Sequence, residues 1–183
     1  LETVAGKISE SLHVPQVTLL LKNGSNFVPA YALGFDTQPA VSLDDDSRAM
    51  RKLRNNKHIL LYEDMTEVTS VPTVSLDERE QLRELNSQIL LPVSAKNELS
   101  GIISLSPKRS EEPYTASDLR LLRSVATQTG FALENSRLTE AVAKEAAQKE
   151  RLNAELEIAR EVQERLFPQE LPKVAGLDYF GAC

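Results

Sequence analysis

Val4, Ile8 and Leu12 recur every four residues through Thr3–Leu12, the spacing of one helix face. Pro15 ends that helix, because the residue before a proline is pushed out of the helical region. Gln16–Leu21 and Phe27–Leu33 are short apolar or alternating runs flanking Asn23-Gly24. Both turn residues tolerate positive φ, so the pattern predicts an antiparallel hairpin. Pro29 has no N–H to give a ladder and predicts an edge or a bulge in the second strand. A short helix is predicted over Asp44–Leu53, where an acidic start (Asp44, Asp45, Asp46) and a basic finish (Arg48, Arg51, Lys52, Arg54) would suit the helix dipole. His58–Asp64 reads as a brief strand. Ser75, with Glu78 three residues on, reads as the capping box of a helix reaching about Leu85.

A second hairpin is predicted from Gln88–Ala95 and Leu99–Ser106, joined by Lys96-Asn97-Glu98. Alternation places Ile89, Leu91 and Val93 on one face, and likewise Leu99, Gly101, Ile103 and Leu105, with Gly101 leaving room for a close neighbour. Thr115 is placed to cap a helix, with Asp118 at the third position and Tyr114 and Leu119 as a hydrophobic staple. Nothing stops this helix before Phe167-Pro168; Gly130 costs only about 1 kcal/mol relative to alanine. Roughly 50 residues make a rod of about 75 Å. Leu119, Leu122, Val125, Ala126, Thr129 and Leu133 form a broad stripe suited to lying across a sheet. From Phe131 the stripe narrows to steps of four and three: Phe131, Asn135, Leu138, Val142, Glu145, Lys149, Leu152, Leu156, Ala159, Gln163 and Leu166. That is a coiled-coil seam. Folding it back on its own domain buries a stripe one residue wide per turn, whereas pairing two chains buries both stripes. A parallel homodimer through this C-terminal helix is therefore expected.

The chain has 183 residues and a formal net charge of -6, which suits one domain with an extension. Its first residue is Leu1 and its final strand-like run, Leu177–Cys183, has no partner, so an excerpt of a longer protein is expected. No run approaches the roughly 18 apolar residues needed to cross a bilayer, and a cytoplasmic segment is expected. Cys183 is the sole cysteine, which excludes an internal disulfide. Without a basic cluster, a nucleic-acid partner is not expected. Histidines 13 and 58 stand apart and make no metal motif. There is no Ser/His/Asp or Cys/His constellation and no Gly-rich phosphate loop, so no catalytic residues are expected in this segment.

Gln88–Leu138 carries a Pro92 strand, a turn, a strand ending in Ser106-Pro107-Lys108-Arg109, then Pro113-Tyr114-Thr115, Asp118-Leu119, a run of leucines and Ala132-Leu133-Glu134-Asn135. It resembles the C-terminal half of a GAF domain, and Leu1–Asp64 resembles the first half more loosely. The resemblance implies an α/β, GAF-like (PAS-like) antiparallel sheet sandwiched by helices, with a long C-terminal coiled-coil helix. Glu155–Cys183 is similar to the linker and first strand of SpoIIE/RsbU-type serine phosphatases of the PPM (PP2C-like) superfamily, through Ile158-Ala159-Arg160, Val162-Gln163, Leu166, Pro168, Leu171-Pro172 and Gly176–Tyr179. Together they imply a GAF domain over 1–137 with a shortened opening helix, a coiled-coil signalling linker over 138–167, and the start of a cut-off phosphatase domain over 168–183. That resemblance implies a bacterial metal-dependent serine/threonine phosphatase as the parent, Mn²⁺ or Mg²⁺ in the missing domain, and a phosphoprotein substrate such as an anti-sigma-factor antagonist. The family's metal-ligating aspartates come downstream, so Asp178 is no ligand and the segment itself has neither phosphatase activity nor cofactor.

GAF domains typically hold a cavity between sheet and helices, which the resemblance places between Leu43 and Leu85. Tyr62, Asp64 and Glu67 are candidate lining residues there, with Tyr31 and Phe35 beside them; the plainer reading makes these strand ends, turn caps and core. The cyclic-nucleotide signature is not matched, because no Phe and Asp-Glu follow Asn56-Lys57 at suitable spacing. Covalent bilin attachment needs a cysteine inside the domain, and Cys183 lies outside it. His58 is the better-placed histidine for haem, yet reads more plainly as a partly exposed residue at a strand start. The leading expectation is a regulatory GAF module whose helix passes a signal to its own phosphatase domain in cis through Ile158, Val162 and Leu166. The alternatives are a ligand-binding sensor for a nucleotide or other metabolite, and a constitutive dimerisation module.

Overall fold

The computed structural model describes residues 1–55, 59–60, 76–96 and 98–166. The elements are α1 (Glu2–Leu12), β1 (Val17–Asn23), β2 (Asn26–Leu33), β3 (Leu43–Asp44), α2 (Arg48–Asn55), β4 (Ile59–Leu60), α3 (Leu76–Glu84), β5 (Ile89–Ala95), β6 (Glu98–Leu105) and α4 (Ala116–Leu166). Two compact units divide the chain, Leu1–Ser136 and Arg137–Cys183. The first holds a six-stranded sheet in the order β3-β2-β1-β6-β5-β4, with every pair antiparallel.

Local chemistry sets the ends of these elements. The β1–β2 hairpin closes at Asn23↔Asn26 with Gly24 at φ 61°. Leu19 pairs with Tyr31 but Leu20 with Pro29, so Ala30 is the extra residue of a bulge beside the proline that cannot donate. His13, at φ 54°, ends α1; the Val14 N–H reaches the Ser9 carbonyl at 3.2 Å, and Val14 packs in one cluster with Ile8. This left-handed cap with its apolar clasp is a Schellman motif. Asn86 (φ 48°) does the same for α3, with the Ser87 N–H 3.0 Å from the Leu82 carbonyl.

Both faces of the sheet are buried. Val17, Leu19, Ile89, Leu91, Ile103 and Leu105 pack against Ala5, Ile8 and Leu12 of α1 and Leu122 and Ala126 of α4. On the other face Leu20, Phe27, Leu43, Leu90 and Ile102 meet Met50 and Leu53 of α2 and Leu82 of α3. Leu99 belongs to this second face, not to the face of Ile103 and Leu105 that alternation predicted. Val93 pairs with Gly101 and Ser94 with Leu99, so Ser100 is a bulge residue and reverses the alternation beyond it.

The helix expected over Asp44–Leu53 begins later. Asp44 lies in β3, and its Oδ1 accepts the Asp46 N–H at 2.9 Å. Asp45 pairs with Lys22 (2.8 Å) and Arg54. Ser47 caps α2, its Oγ accepting the Met50 N–H at 3.3 Å. Short acidic side chains satisfy their own backbone, and that competes with helix here. Ser75 and most of His58–Asp64 lie outside the described residues.

The start of α4 is a full capping box. The Asp118 N–H donates to Thr115 Oγ1 at 3.2 Å and the Thr115 N–H to Asp118 Oδ2 at 2.7 Å. Lys108 Nζ donates to the same carboxylate oxygen at 2.5 Å and sits 5.3 Å from the Tyr114 ring centre. Tyr114 donates its hydroxyl hydrogen to the Ser106 carbonyl at 2.7 Å. Burial acts to raise the Asp118 pKa, but the hydrogen bonds from Lys108 and Thr115 outweigh it and hold the carboxyl below its ordinary 3.8. Burial, and then the Asp118 charge, push the Tyr114 hydroxyl well above 10.0. Further along, Gly130 presses on β5: a Cβ built there would lie 2.4 Å from the Ser94 carbonyl oxygen.

In the second unit every described helix position whose side chain is resolved is exposed. Arg151–Glu155 (3.3 Å) and Glu161–Arg165 (2.7 Å) are ion pairs four residues apart, each contributing a few tenths of a kcal/mol.

Candidate functional site: two hollows on opposite faces

A polar cleft of about 430 Å³ opens where β3, α2 and α3 meet. Asp44 comes from the end of β3 and Ser47 from the cap of α2. Arg48 and Arg51, three apart, share one face of α2, and Asp77, Glu78 and Gln81 come from the first turns of α3. Two ties hold α3 to the extended segment before β3: Gln81 Oε1 accepts the Ser42 N–H at 2.8 Å, and Glu84 Oε1 accepts the Ala40 N–H at 2.9 Å. Glu78 is only 6 % exposed, whereas Arg51 and Asp77 face solvent. Guanidinium and carboxylate groups around one hollow suit a small molecule carrying both charges, and the volume falls within the roughly 300–1,000 Å³ of ligand pockets.

The sheet face toward α2 and α3 also carries buried hydroxyls. Thr18 and Ser104 are neighbours across β1 and β6 and each is 1 % exposed. Ser104 bonds the Ser87 hydroxyl, but the Thr18 hydroxyl has no hydrogen-bond partner among the described residues. A buried hydroxyl left without a partner costs about 1–3 kcal/mol, and such a group calls for a reason.

The second hollow, of about 410 Å³, is an apolar groove between α1 and α4. Val4, Lys7, Ile8 and Ser11 line one wall, Leu121, Val125, Gln128 and Ala132 the other.

Of the predicted pocket residues, Tyr31 packs half-buried against the core on the α1/α4 side, and neither it nor Phe35 lines either hollow. Tyr62, Asp64, Glu67 and His58 lie outside the described residues. His13 is the cap of α1, its carbonyl accepting the Arg109 N–H at 2.9 Å. Sequence reasoning passed over Arg48, Arg51, Asp77 and Gln81, having read them as a basic helix end and the polar positions of a capped helix. The available signal was the three- and four-residue spacing of those polar groups. Along α4, Phe131, Leu138, Val142, Leu152, Leu156, Ile158 and Val162 are exposed, as is Ala159; the Leu166 side chain lies outside the described residues. Among the described residues no group of three or more His, Cys, Asp or Glu is placed to hold a metal, and no helix is long and apolar enough to cross a membrane.

An antiparallel sheet with α1 and α4 on one face, α2 and α3 on the other, and a hollow on each side makes a three-layer α/β domain. The family model for the GAF domain matches residues 9–135, and the chain belongs to that family. The matched segment is a GAF-type sensory and regulatory domain. Among curated protein sequences, none matches the chain. Solved structures share the fold. The GAF domain/HD domain protein from Geobacter sulfurreducens has a TM-score of 0.60 at 16 % identity, over 75 % of this chain and 91 % of that one. Residues 122 to 287 of a methyl-accepting chemotaxis protein give 0.60 at 19 %, over 74 % and 87 %. The blue-light absorbing form of the PixJ GAF-domain of Thermosynechococcus elongatus gives 0.59 at 15 %, over 77 % and 86 %. At such identities the likeness is one of fold.

These matches overturn the assignment to a SpoIIE/RsbU-type PPM phosphatase and the hydrolase function that went with it. The family match ends at residue 135, and the structures are of a chemotaxis protein, an HD-domain protein, sensor histidine kinases and photoreceptors. The resemblance had rested on Ile158-Ala159-Arg160, Val162-Gln163 and Leu166, in a stretch whose described part is an exposed helix, and on Pro168, Leu171-Pro172 and Gly176–Tyr179, which lie outside the described residues. Any amphipathic helix repeats apolar residues every three or four positions.

Proposed function

We propose that this GAF domain senses a small polar molecule on the α2/α3 side of its sheet and passes the response to α4, along which two copies of the chain pair. The observation that carries the sensing half is the conjunction on that side of a charged cleft with the buried, unpartnered Thr18 hydroxyl. Ligand groups bound there would find donors in Arg48 and Arg51 and acceptors in Asp44 and Asp77. A pigment held through a cysteine has no anchor in residues 9–135, since the chain's one cysteine is Cys183; a freely dissociating metabolite or nucleotide is the favoured effector. A thermal-shift screen across nucleotides, amino acids and organic acids tests this. A binder at 100 times its Kd stabilises by about 2.7 kcal/mol, and Arg51→Ala and Asp77→Ala should abolish that shift while leaving the unliganded melting point in place. A binder whose shift survives both substitutions, or a screen with no binder, contradicts the reading.

The pairing half is supported by the exposed Phe131, Leu138, Val142, Leu152 and Leu156, which repeat at the average spacing of 3.5 residues that suits a partner helix. Leu156→Glu should convert a dimer into a monomer in sedimentation; wild-type protein sedimenting as a monomer at all concentrations refutes it.

A further inference from the structure

We infer that the Thr18 hydroxyl holds a buried water molecule, which it shares with Ser104 and Ser87 between the sheet and the end of α3. The inference is independent of what the charged cleft binds. It concerns the ligand-free domain, in which a buried hydroxyl on the sensing side still needs a partner.

Topology brings the three hydroxyls together. β1 lies inside the sheet, and Thr18 is paired with Ala32 on one side and Ser104 on the other, so the backbone around it is engaged in the ladder in both directions. Directly opposite residues of an antiparallel pair stand about 4.5–5.5 Å apart at Cβ, which sets the Thr18 and Ser104 side chains next to each other. Both alternate with residues of the α1 side, Leu19 and Ile103, and so point toward α2 and α3. Ser87 arrives from the turn after α3 and bonds Ser104. Thr18 and Ser104 are each 1 % exposed, and bulk solvent does not reach them.

Hydrogen-bond arithmetic identifies the partner. Three hydroxyls carry three protons, and the contact between Ser87 and Ser104 uses one. The Thr18 oxygen has no partner among the described residues, and Gln88, next after Ser87, adds a second such buried oxygen, its Oε1. With no charged side chain among these four, the occupant is small, uncharged and able to accept and donate at once. Water meets all three conditions, and buried waters typically make about three hydrogen bonds to groups of this kind. Bound there, it ties β1 and β6 to Ser87 and so to the end of α3, whose Asp77, Glu78 and Gln81 line the charged cleft. A ligand that reached Thr18 would have to displace this water.

Thr18→Val keeps the shape and removes the hydroxyl, and the sign of its effect decides. A hydroxyl that holds a water gives up hydrogen bonds on substitution, so the folding equilibrium constant of the full chain, read by urea unfolding, should fall about fivefold. A hydroxyl without any partner gives up only the cost of its burial, and a constant that rises overturns the inference. Crystals of the ligand-free wild type should show an ordered water within about 3.2 Å of Thr18 Oγ1, retained in Thr18→Ser and lost in Thr18→Val. A Thr18 hydroxyl bonded to a protein atom, or with no ordered atom in reach, overturns it as well. Should Thr18→Val fail to fold, the wild-type crystal decides alone.

Discussion

Replacing glycine by alanine inside a helix ordinarily stabilises it, by about 1 kcal/mol, and the two helical glycines of this domain should respond with opposite signs. At Gly6, in α1, an added Cβ meets nothing within 4 Å. Gly6→Ala should therefore realise most of the propensity gain, about 0.5–1 kcal/mol. At Gly130, in α4, the same Cβ lies 2.4 Å from the Ser94 carbonyl oxygen and 2.9 Å from its carbonyl carbon. Those are backbone atoms of β5, paired with β6 at Ser94↔Leu99, and they cannot rotate aside as a side chain could. Overpacking of this kind costs about 1–3 kcal/mol, which exceeds the propensity gain, so Gly130→Ala should lose about 1–2 kcal/mol net. Urea unfolding followed by circular dichroism, at one fixed protein concentration, reads both variants: the midpoint should rise for Gly6→Ala and fall for Gly130→Ala, with similar m-values. A Gly130→Ala protein more stable than wild type would refute the close packing of α4 on β5.

The remaining predictions concern the caps. His13→Gly should add about 0.5–1 kcal/mol, since position 13 holds φ 54° and glycine adopts it without the Cβ penalty; a lower melting point would contradict the Schellman end of α1. Thr115→Ala should cost about 0.5–2 kcal/mol through loss of the N-cap bond. The native pKa of Asp118 is depressed, so its stabilisation is complete above the unfolded value of 3.8 and fades as pH falls through the native pKa; in Asp118→Asn this part of the acid limb of the melting curve should disappear. Tyr114 has its pKa raised, so its contribution is complete below pH 10.0 and is lost as pH rises beyond, a loss that Tyr114→Phe should remove together with the hydrogen bond to Ser106.

The parts of this fold legible in the sequence are those whose cause is local. Asn23-Gly24 announces its own turn, Pro29 its bulge, and Thr115 with Asp118 the start of α4, because a few neighbouring residues satisfy one another's backbone. The second bulge, at Ser100, carries no proline or other mark, so the placement of Leu99 came out on the wrong face. Asp44–Asp46 read as a helix start because the negative charges suit a dipole, yet Asp44 satisfies the turn before Ser47 instead. Gly130 showed only its propensity cost; the reason for it is Ser94, 36 residues away in the chain and in contact only after folding. The charged cleft was hidden for the same reason: Arg48 and Asp77 line one hollow only once α2 and α3 are packed on the sheet, and each is an ordinary surface residue in its own helix. The groove half-showed itself, since Val4, Ile8 and Val125 were legible as apolar stripes but their incomplete coverage was not.

In the proposed assembly two copies pair in parallel along α4. Spin labels at Ala147→Cys and, separately, Ala154→Cys, each on a Cys183→Ser background, place the probes on the outer side of the proposed pair. Double electron–electron resonance should give the same inter-label distance at both sites, on the order of 20 Å, the span of two adjacent helices. Absence of any dipolar signal, or a distance at one site much longer than at the other, would contradict it.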